Sequence, residues 1–198
     1  MEQIRAFIAI DLPDQVKCDL SQLLDRIRPG QERAVKWVDP GSIHLTLKFL
    51  GNISAKKVVD ITRAIGEAAM EVEPFTLELQ GLGAFPNLRS PRVVWVGVER
   101  DVGLIMHLKK RIDQALIHLG FPAERREFSP HLTLGRVRDQ TTNQERRSLG
   151  ESIRSIQIES SLPFLVEEVC LMRSTLTSTG AIYNRLSSVL LTDIDETC

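Results

Sequence analysis

Period-two alternation is the dominant pattern in this chain. It is clearest in Ile43-His44-Leu45-Thr46-Leu47-Lys48-Phe49-Leu50, which alternates apolar and polar residues up to a Gly51-Asn52 turn signal. Read as one regular strand, it sets Ile43, Leu45, Leu47 and Phe49 on a core face and His44, Thr46 and Lys48 on the other, because successive strand side chains point to opposite faces. A second strand of this kind follows Pro130, which favours an extended start: His131-Leu132-Thr133-Leu134-Gly135-Arg136-Val137-Arg138, with a glycine where a bulge fits. Further strands are predicted at Ile4–Ile10, near Phe75–Gln80, near Val93–Val98, near Phe164–Met172 and at Ala181–Leu190, with a turn around Ser178-Thr179-Gly180 before the last. Helices are predicted from Pro13 to about Arg28, from Ser54 to about Met70, from Asp101 to Leu119 and near Asn143–Ser152. Pro13 and Ser54 are residue types that open helices, and Gly120 is one that closes them. The tail Thr192–Cys198 is expected to fray.

Strands interleaved with helices imply an α+β or α/β layer arrangement. Each half of the chain carries one His-Leu-Thr-Leu strand within a comparable set of elements, so two lobes facing each other across a cleft are expected, and such clefts are common ligand sites. With 198 residues, 42% of them hydrophobic, the chain can bury a substantial core, and no low-complexity linker divides it. One compact unit over 1–198 is the expectation.

The formal net charge is −1, which excludes the global basic field that drives non-specific nucleic-acid binding, so any RNA contact must be local. One local patch is 125–147, where Arg125, Arg126, Arg136, Arg138, Arg146 and Arg147 outnumber Glu127, Asp139 and Glu145; a solvated surface explains it equally well. Cys18, Cys170 and Cys198 are too few and too scattered for a disulfide framework or a zinc site, and an odd count fits a reducing compartment. The N-terminus has no signal-peptide core and no segment approaches the roughly 20 apolar residues of a membrane span. A cytoplasmic protein with no membrane partner is expected; the oligomeric state is open, with a monomer favoured.

The two copies of His-Leu-Thr-Leu, at His44–Leu47 and His131–Leu134, lie 87 residues apart and hold two of the four histidines. Average residue usage gives one such tetrapeptide on the order of 10⁻³ to 10⁻² times in a chain this long. Duplication therefore favours a functional pair over two structural histidines. Imidazole titrates near neutrality, so two of them across a cleft can act as base and acid in one reaction, each contributing roughly 10²–10⁴ in rate. The threonine two residues on points the same way and donates a hydroxyl hydrogen bond. Two proton shuttles and several oxygen-binding donors, without a strong nucleophile, suit a phosphodiester and above all a strained cyclic one. One histidine deprotonates water and the other protonates the departing sugar oxygen, while the hydroxyls and a cation such as Arg136 stabilise the phosphorus-bound oxygens. A metal held by His44 and His131 would want a third ligand, and no His-x-His or Cys-x-x-Cys cluster supplies one. No cofactor is expected. His107 and His118 fall on a helix and read as ordinary surface residues.

With both motifs in view, the chain resembles the two-histidine (2H) phosphoesterase superfamily, and within it the RNA 2′,3′-cyclic phosphodiesterases, also called RNA 2′-5′ ligases. The resemblance covers nearly the whole chain. Besides the paired motifs it rests on Arg5–Ile10, Lys48-Phe49-Leu50-Gly51, Gly81–Pro86, Arg92–Val98, Phe128-Ser129-Pro130, Gly135-Arg136 and Gly180–Tyr183. It implies a bilobal α+β fold of two pseudo-symmetric lobes, mainly antiparallel sheet with helices packed outside and the motifs lining a central groove. It also implies hydrolysis of RNA 2′,3′-cyclic phosphate ends to a 2′-phosphomonoester, with reversible 2′-5′ joining as a lesser activity. By the same analogy His44 is the proton donor, His131 the acceptor, and Thr46, Thr133 and Arg136 hold phosphate oxygens; Arg136 needs a bulge at Gly135 to reach the face of His131. Phe49 is expected in the core, Lys48 beside His44, and Trp37, Phe7 or Tyr183 are candidates to rim the groove as base platforms. Two other readings stay open: a phosphodiesterase for another small cyclic phosphate, and a module that binds RNA ends without cleaving them.

Overall fold

Along the first strand, β1 (Gln3–Asp11), Ile4, Ala6, Ile8 and Ile10 are buried on one face and Arg5, Phe7, Ala9 and Asp11 take the other. This computed structural model describes residues 2–124, 126–158, 163–177 and 180–192; Arg125, Ser178, Thr179 and 193–198, which include Cys198 and nearly all of the expected frayed tail, lie outside them. After β1 come α1 (Asp14–Ile27), β2 (Val35–Trp37), β3 (His44–Ser54), α2 (Val58–Ala69), β4 (Phe75–Phe85), β5 (Val93–Arg100), α3 (Val102–Leu116), β6 (His131–Val137), α4 (Asn143–Ser155), β7 (Phe164–Val166), β8 (Glu168–Leu176) and β9 (Ala181–Leu190). Each helix buries one stripe, as Val16, Leu20, Leu23, Leu24 and Ile27 do in α1, so the helices pack on the sheet through apolar faces and leave their polar faces to solvent. Helix α4 opens with a capping box in which Thr142 and Glu145 satisfy each other's backbone amides.

All strand pairs are antiparallel, in one curled sheet of order β7-β4-β5-β6-β3-β1-β8-β9, with β2 added to β6. The fold is α+β with two pseudo-symmetric lobes, and their sheets are continuous across the β3–β6 seam. Each half of the sequence sends its C-terminal strands to the other lobe: β4 pairs with β5, while β8 pairs with β1 and carries β9 on its far edge. Neither lobe is therefore built from one half of the chain. The main core lies between the sheet and the helices, while Phe7, Ala9, Cys170 and Met172 form a small second cluster on the opposite face, with Tyr183 packed against it.

Several boundaries differ from the sequence reading for local reasons. The apolar run Phe164–Met172 is two strands divided at Glu167, because β7 pairs with β4 at one end of the sheet and β8 with β1 near the other. One residue thus links the two ends, which requires the sheet to curl. Gly51-Asn52 is not a turn; β3 continues to Ser54, with Gly51 at φ 70° opposite Ala6. Likewise β4 passes through Gly81, at φ 68°, as a bulge and reaches Phe85. Ser54 caps a 3₁₀ turn at Ala55–Lys57, so α2 begins only at Val58. The third helix, expected to run to Leu119, ends at Leu116 and passes into a 3₁₀ turn at Ile117–Leu119, which Gly120 closes in the left-handed conformation at φ 91°.

Candidate active site

The two motif strands are neighbours and meet at Leu45 and Leu132, both fully buried on the helix side of the sheet. His44 and Thr46, and likewise His131 and Thr133, therefore stand on the open face. Extending the Leu45–Leu132 register sets His44 level with Thr133 and Thr46 level with His131, so the two half-sites oppose each other diagonally across the seam. Among the described residues neither threonine hydroxyl is engaged by a protein partner.

Both imidazoles are held in the same way. His44 Nδ1 donates to the Ser42 carbonyl at 2.9 Å, and His131 Nδ1 donates to the Ser129 carbonyl at 2.7 Å. A carbonyl can only accept, so each Nδ1 carries hydrogen and each Nε2 is left for another partner. Rings fix their planes. Phe7 lies 4.6 Å from His44 and Tyr183 meets it edge-on at 4.8 Å; Phe85 meets His131 edge-on at 4.9 Å, with Trp95 at 6.4 Å. Burial pushes the His44 imidazole below its ordinary pKa, against the opposing pull of the Ser42 carbonyl and the Asp11 carboxylate. Asp11, its cross-strand partner, is ion-paired with Lys17 at 3.0 Å and Arg185 at 3.1 Å. Burial raises the Asp11 pKa, but those cations and the Leu12 amide outweigh it and hold the carboxyl below the usual carboxylate range.

Each motif strand carries a bulge just past its threonine. In β3 the register against β1 jumps from Ala9–Thr46 to Ile8–Lys48, and in β6 the register against β5 jumps from Trp95–Thr133 to Val94–Gly135. A bulge places two residues opposite one, so the alternation changes phase. Arg136 consequently pairs with Val93, two residues before Trp95, and shares the face of His131 and Thr133. The same phase change overturns two expectations. Phe49 is not in the core but 61% exposed, 6.2 Å from Phe7 on the groove side, and Lys48 is not beside His44 but turned beneath the sheet at 2% exposure. There its ammonium donates to Asp113 on α3 at 2.6 Å and to the Pro122 carbonyl at 2.7 Å, and Lys109 binds the other Asp113 oxygen at 2.6 Å.

Other sequence candidates lie elsewhere. Trp37 packs toward the core against Gly135, and His107 and His118 are exposed outside the groove. Within the arginine-rich stretch, Arg146 is a brace that donates to the carbonyls of Pro91, Arg138 and Thr141. Sequence reasoning does not single out Phe85 and Trp95. The signal that could have found them is glycine: a Cβ at Gly83 would overlap the Trp95 indole, so the ring lies across a strand position left empty for it.

Two successive segments of the chain, residues 10–95 and 96–183, match the family model for LigT-like phosphoesterases, one for each half-site. The chain belongs to this family. It is accordingly a phosphoesterase-family enzyme of the 2H type, as the resemblance implied. A protein of Methanothermobacter thermautotrophicus named RNA 2′,3′-cyclic phosphodiesterase is 34% identical over 181 residues, covering 91% of this chain and 95% of that one. Among solved structures, the Thermus thermophilus protein TT0787 superposes with a TM-score of 0.79 at 28% identity over 96% of this chain and 100% of that one. Escherichia coli LigT complexed with 3′-AMP gives 0.74 at 28% identity, over 97% of this chain and 100% of that one. No helix of the described residues is long and apolar enough to cross a membrane.

Proposed function

We propose that this LigT-like phosphoesterase hydrolyses 2′,3′-cyclic phosphodiester ends of RNA, or nucleotides bearing them, to 2′-phosphomonoesters by two-histidine acid–base catalysis. The observation that carries the reading is the mirrored pair of Nδ1–H bonds to Ser42 and Ser129, which presents two Nε2 atoms on one face of the sheet. One neutral imidazole takes a proton from water as its oxygen attacks phosphorus; the bond from phosphorus to the ribose 3′-oxygen breaks, and the second, protonated imidazole gives that oxygen its proton. The Thr46 and Thr133 hydroxyls donate to the non-bridging oxygens, and Arg136 adds a cation as their charge grows. The scheme requires no metal and no covalent intermediate.

Family resemblance makes His44 the donor and His131 the acceptor. Burial favours neutral His44, so a donor role requires the phosphate anion beside it to draw the proton on. A ribose 5′-hydroxyl in place of water gives 2′-5′ joining through the same steps. The relatives' names and the nucleotide complex of LigT support a nucleotide ligand.

Phosphorus NMR of RNA ending in 2′,3′-cyclic phosphate, with excess EDTA, tests the reading against the His131→Ala variant. A 2′-monophosphate formed by wild type alone is expected. A cyclic resonance that persists with wild type would move the assignment to another cyclic phosphate or to a binding module.

A further inference from the structure

The loop between β4 and β5 and the outer face of α4 enclose a cleft of about 660 Å³ lined by Leu88, Arg89, Ser90, Arg147, Glu151 and Arg154. A second hollow of about 420 Å³ shares Leu88, Arg89 and Arg154 with it, so the two form one trough. All three arginines are exposed, and among the described residues none is spent in an ion pair or a side-chain hydrogen bond. On a chain with a net charge of −1, this concentrates unpaired positive charge in one concave place.

The walls are fixed. Asn87 Oδ1 accepts from the Arg89 and Ser90 amides at 3.0 Å each, which sets the shape of the loop tip. Helix α4 approaches the tip so closely that a Cβ on Gly150 would overlap the Leu88 carbonyl. Arg146 then ties the base of the loop to the helix through the Pro91 carbonyl at 2.6 Å and to the end of β6 through that of Arg138 at 3.0 Å. The trough is also tied to the groove: Leu88 follows Phe85, the ring against His131, by three residues, a reach of about 10 Å.

We propose that this trough is a second RNA site, which holds the phosphodiester backbone of the strand 5′ to the reacting end. Guanidinium forks match phosphate oxygens in a bidentate way and cannot lose their charge, and a single strand leaving the His131 half-site reaches them within a few nucleotides. The single Glu151 leaves the wall net positive. The proposal rests on the cyclic phosphodiesterase reading for the position of the RNA end.

The test compares two substrates, a 2′,3′-cyclic mononucleotide and an oligoribonucleotide of about ten residues ending in cyclic phosphate. Three phosphate contacts on a single strand imply a salt slope near −2.1, or about twentyfold weakening between about 50 and 200 mM salt. The variant combining Arg89→Ala, Arg147→Ala and Arg154→Ala is expected to raise KM for the oligomer about tenfold or more at low salt and to flatten its salt dependence, each arginine removing about 0.7 from the slope. Its turnover of the mononucleotide is expected to match wild type. A triple variant with the wild-type KM and salt slope on the oligomer overturns the proposal. Should wild type turn over neither substrate, the reading of the reaction fails on its own; fluorescence anisotropy with the same oligomer, compared between wild type and the triple variant, then decides the trough.

Discussion

Phe49 and Arg136 occupy the same position in the two half-sites, three residues beyond the threonine of each motif and just past its bulge. Both are exposed on the groove side of the sheet. The fold repeats its backbone device and fills it with different chemistry: an aromatic face on the strand of His44, a guanidinium on the strand of His131. Two motif strands of matching geometry thereby acquire a polarity, with an apolar surface at one end and a cation at the other.

The two positions are expected to fail differently. In the proposed reaction Arg136→Ala removes a charged hydrogen bond to phosphate oxygens, worth about 1.5–3 kcal/mol, and is expected to lower kcat/KM roughly 10- to 150-fold. Phe49→Ala removes a stacking face worth about 1–3 kcal/mol per base and acts mainly on KM. Steady-state kinetics on a cyclic mononucleotide separates them, and an Arg136→Ala variant with wild-type kcat/KM would remove that residue from the site.

Much of this arrangement is legible in the chain. The duplicated motif identifies the two strands, and alternation alone orients the polar faces of both motifs correctly. It misplaces Phe49 and Lys48 because a bulge reverses the phase of every residue beyond it, and β3 carries no glycine at Leu47-Lys48 to mark the change. In β6 Gly135 does mark it. The exchange of β4 and of the β8–β9 pair between lobes leaves no local pattern, since pairing partners distant in sequence are set by tertiary packing. The three-residue β2 is likewise too short to show a period.

His44 is expected to titrate below the ordinary histidine value of about 6.5 in the free protein, because burial disfavours its charged form. Proton or carbon NMR of the imidazole measures this directly. Asp11→Asn removes an opposing charge and should depress the value further, whereas Lys17→Met should raise it. Saturation with a 2′-nucleotide product should also raise it, as a donor role demands. The sign for stability follows: the unfolded chain binds this proton at higher pH than the native protein, so the free protein loses stability as pH falls through about 6.5 toward the native value. Above that window His44 contributes no slope. The His44→Gln variant should therefore show a shallower decline in denaturant midpoint on acidification.

Gly83→Ala is expected to damage the His131 half-site without touching a polar group. The added methyl overlaps the Trp95 indole, so the ring must shift from its place between Phe85 and the strand. Overpacking of this kind costs roughly 1–3 kcal/mol. A fall in kcat accompanied by a change in tryptophan fluorescence checks the mechanism, and unchanged spectra with unchanged kcat would show that the wall tolerates the methyl.

The buried charges beneath the sheet predict an asymmetry. Asp113 accepts from both Lys48 and Lys109, whose side chains are 2% and 5% exposed. Asp113→Ala strips the counter-charge from two buried ammonium groups at once, and breaking a buried pair from one side costs about 3–5 kcal/mol. Lys48→Met removes one cation but leaves Asp113 paired with Lys109, replaces the stem with an unbranched apolar chain, and frees only the Pro122 carbonyl. It should therefore cost much less than Asp113→Ala in urea unfolding. Lys109 also lies 5.8 Å from the Phe128 ring, next to the Ser129 carbonyl that holds His131. Loss of Asp113 should accordingly lower kcat even in the protein that remains folded. Equal destabilisation by the two substitutions would mean that the Pro122 contact, rather than the charge balance, fixes this corner of the fold.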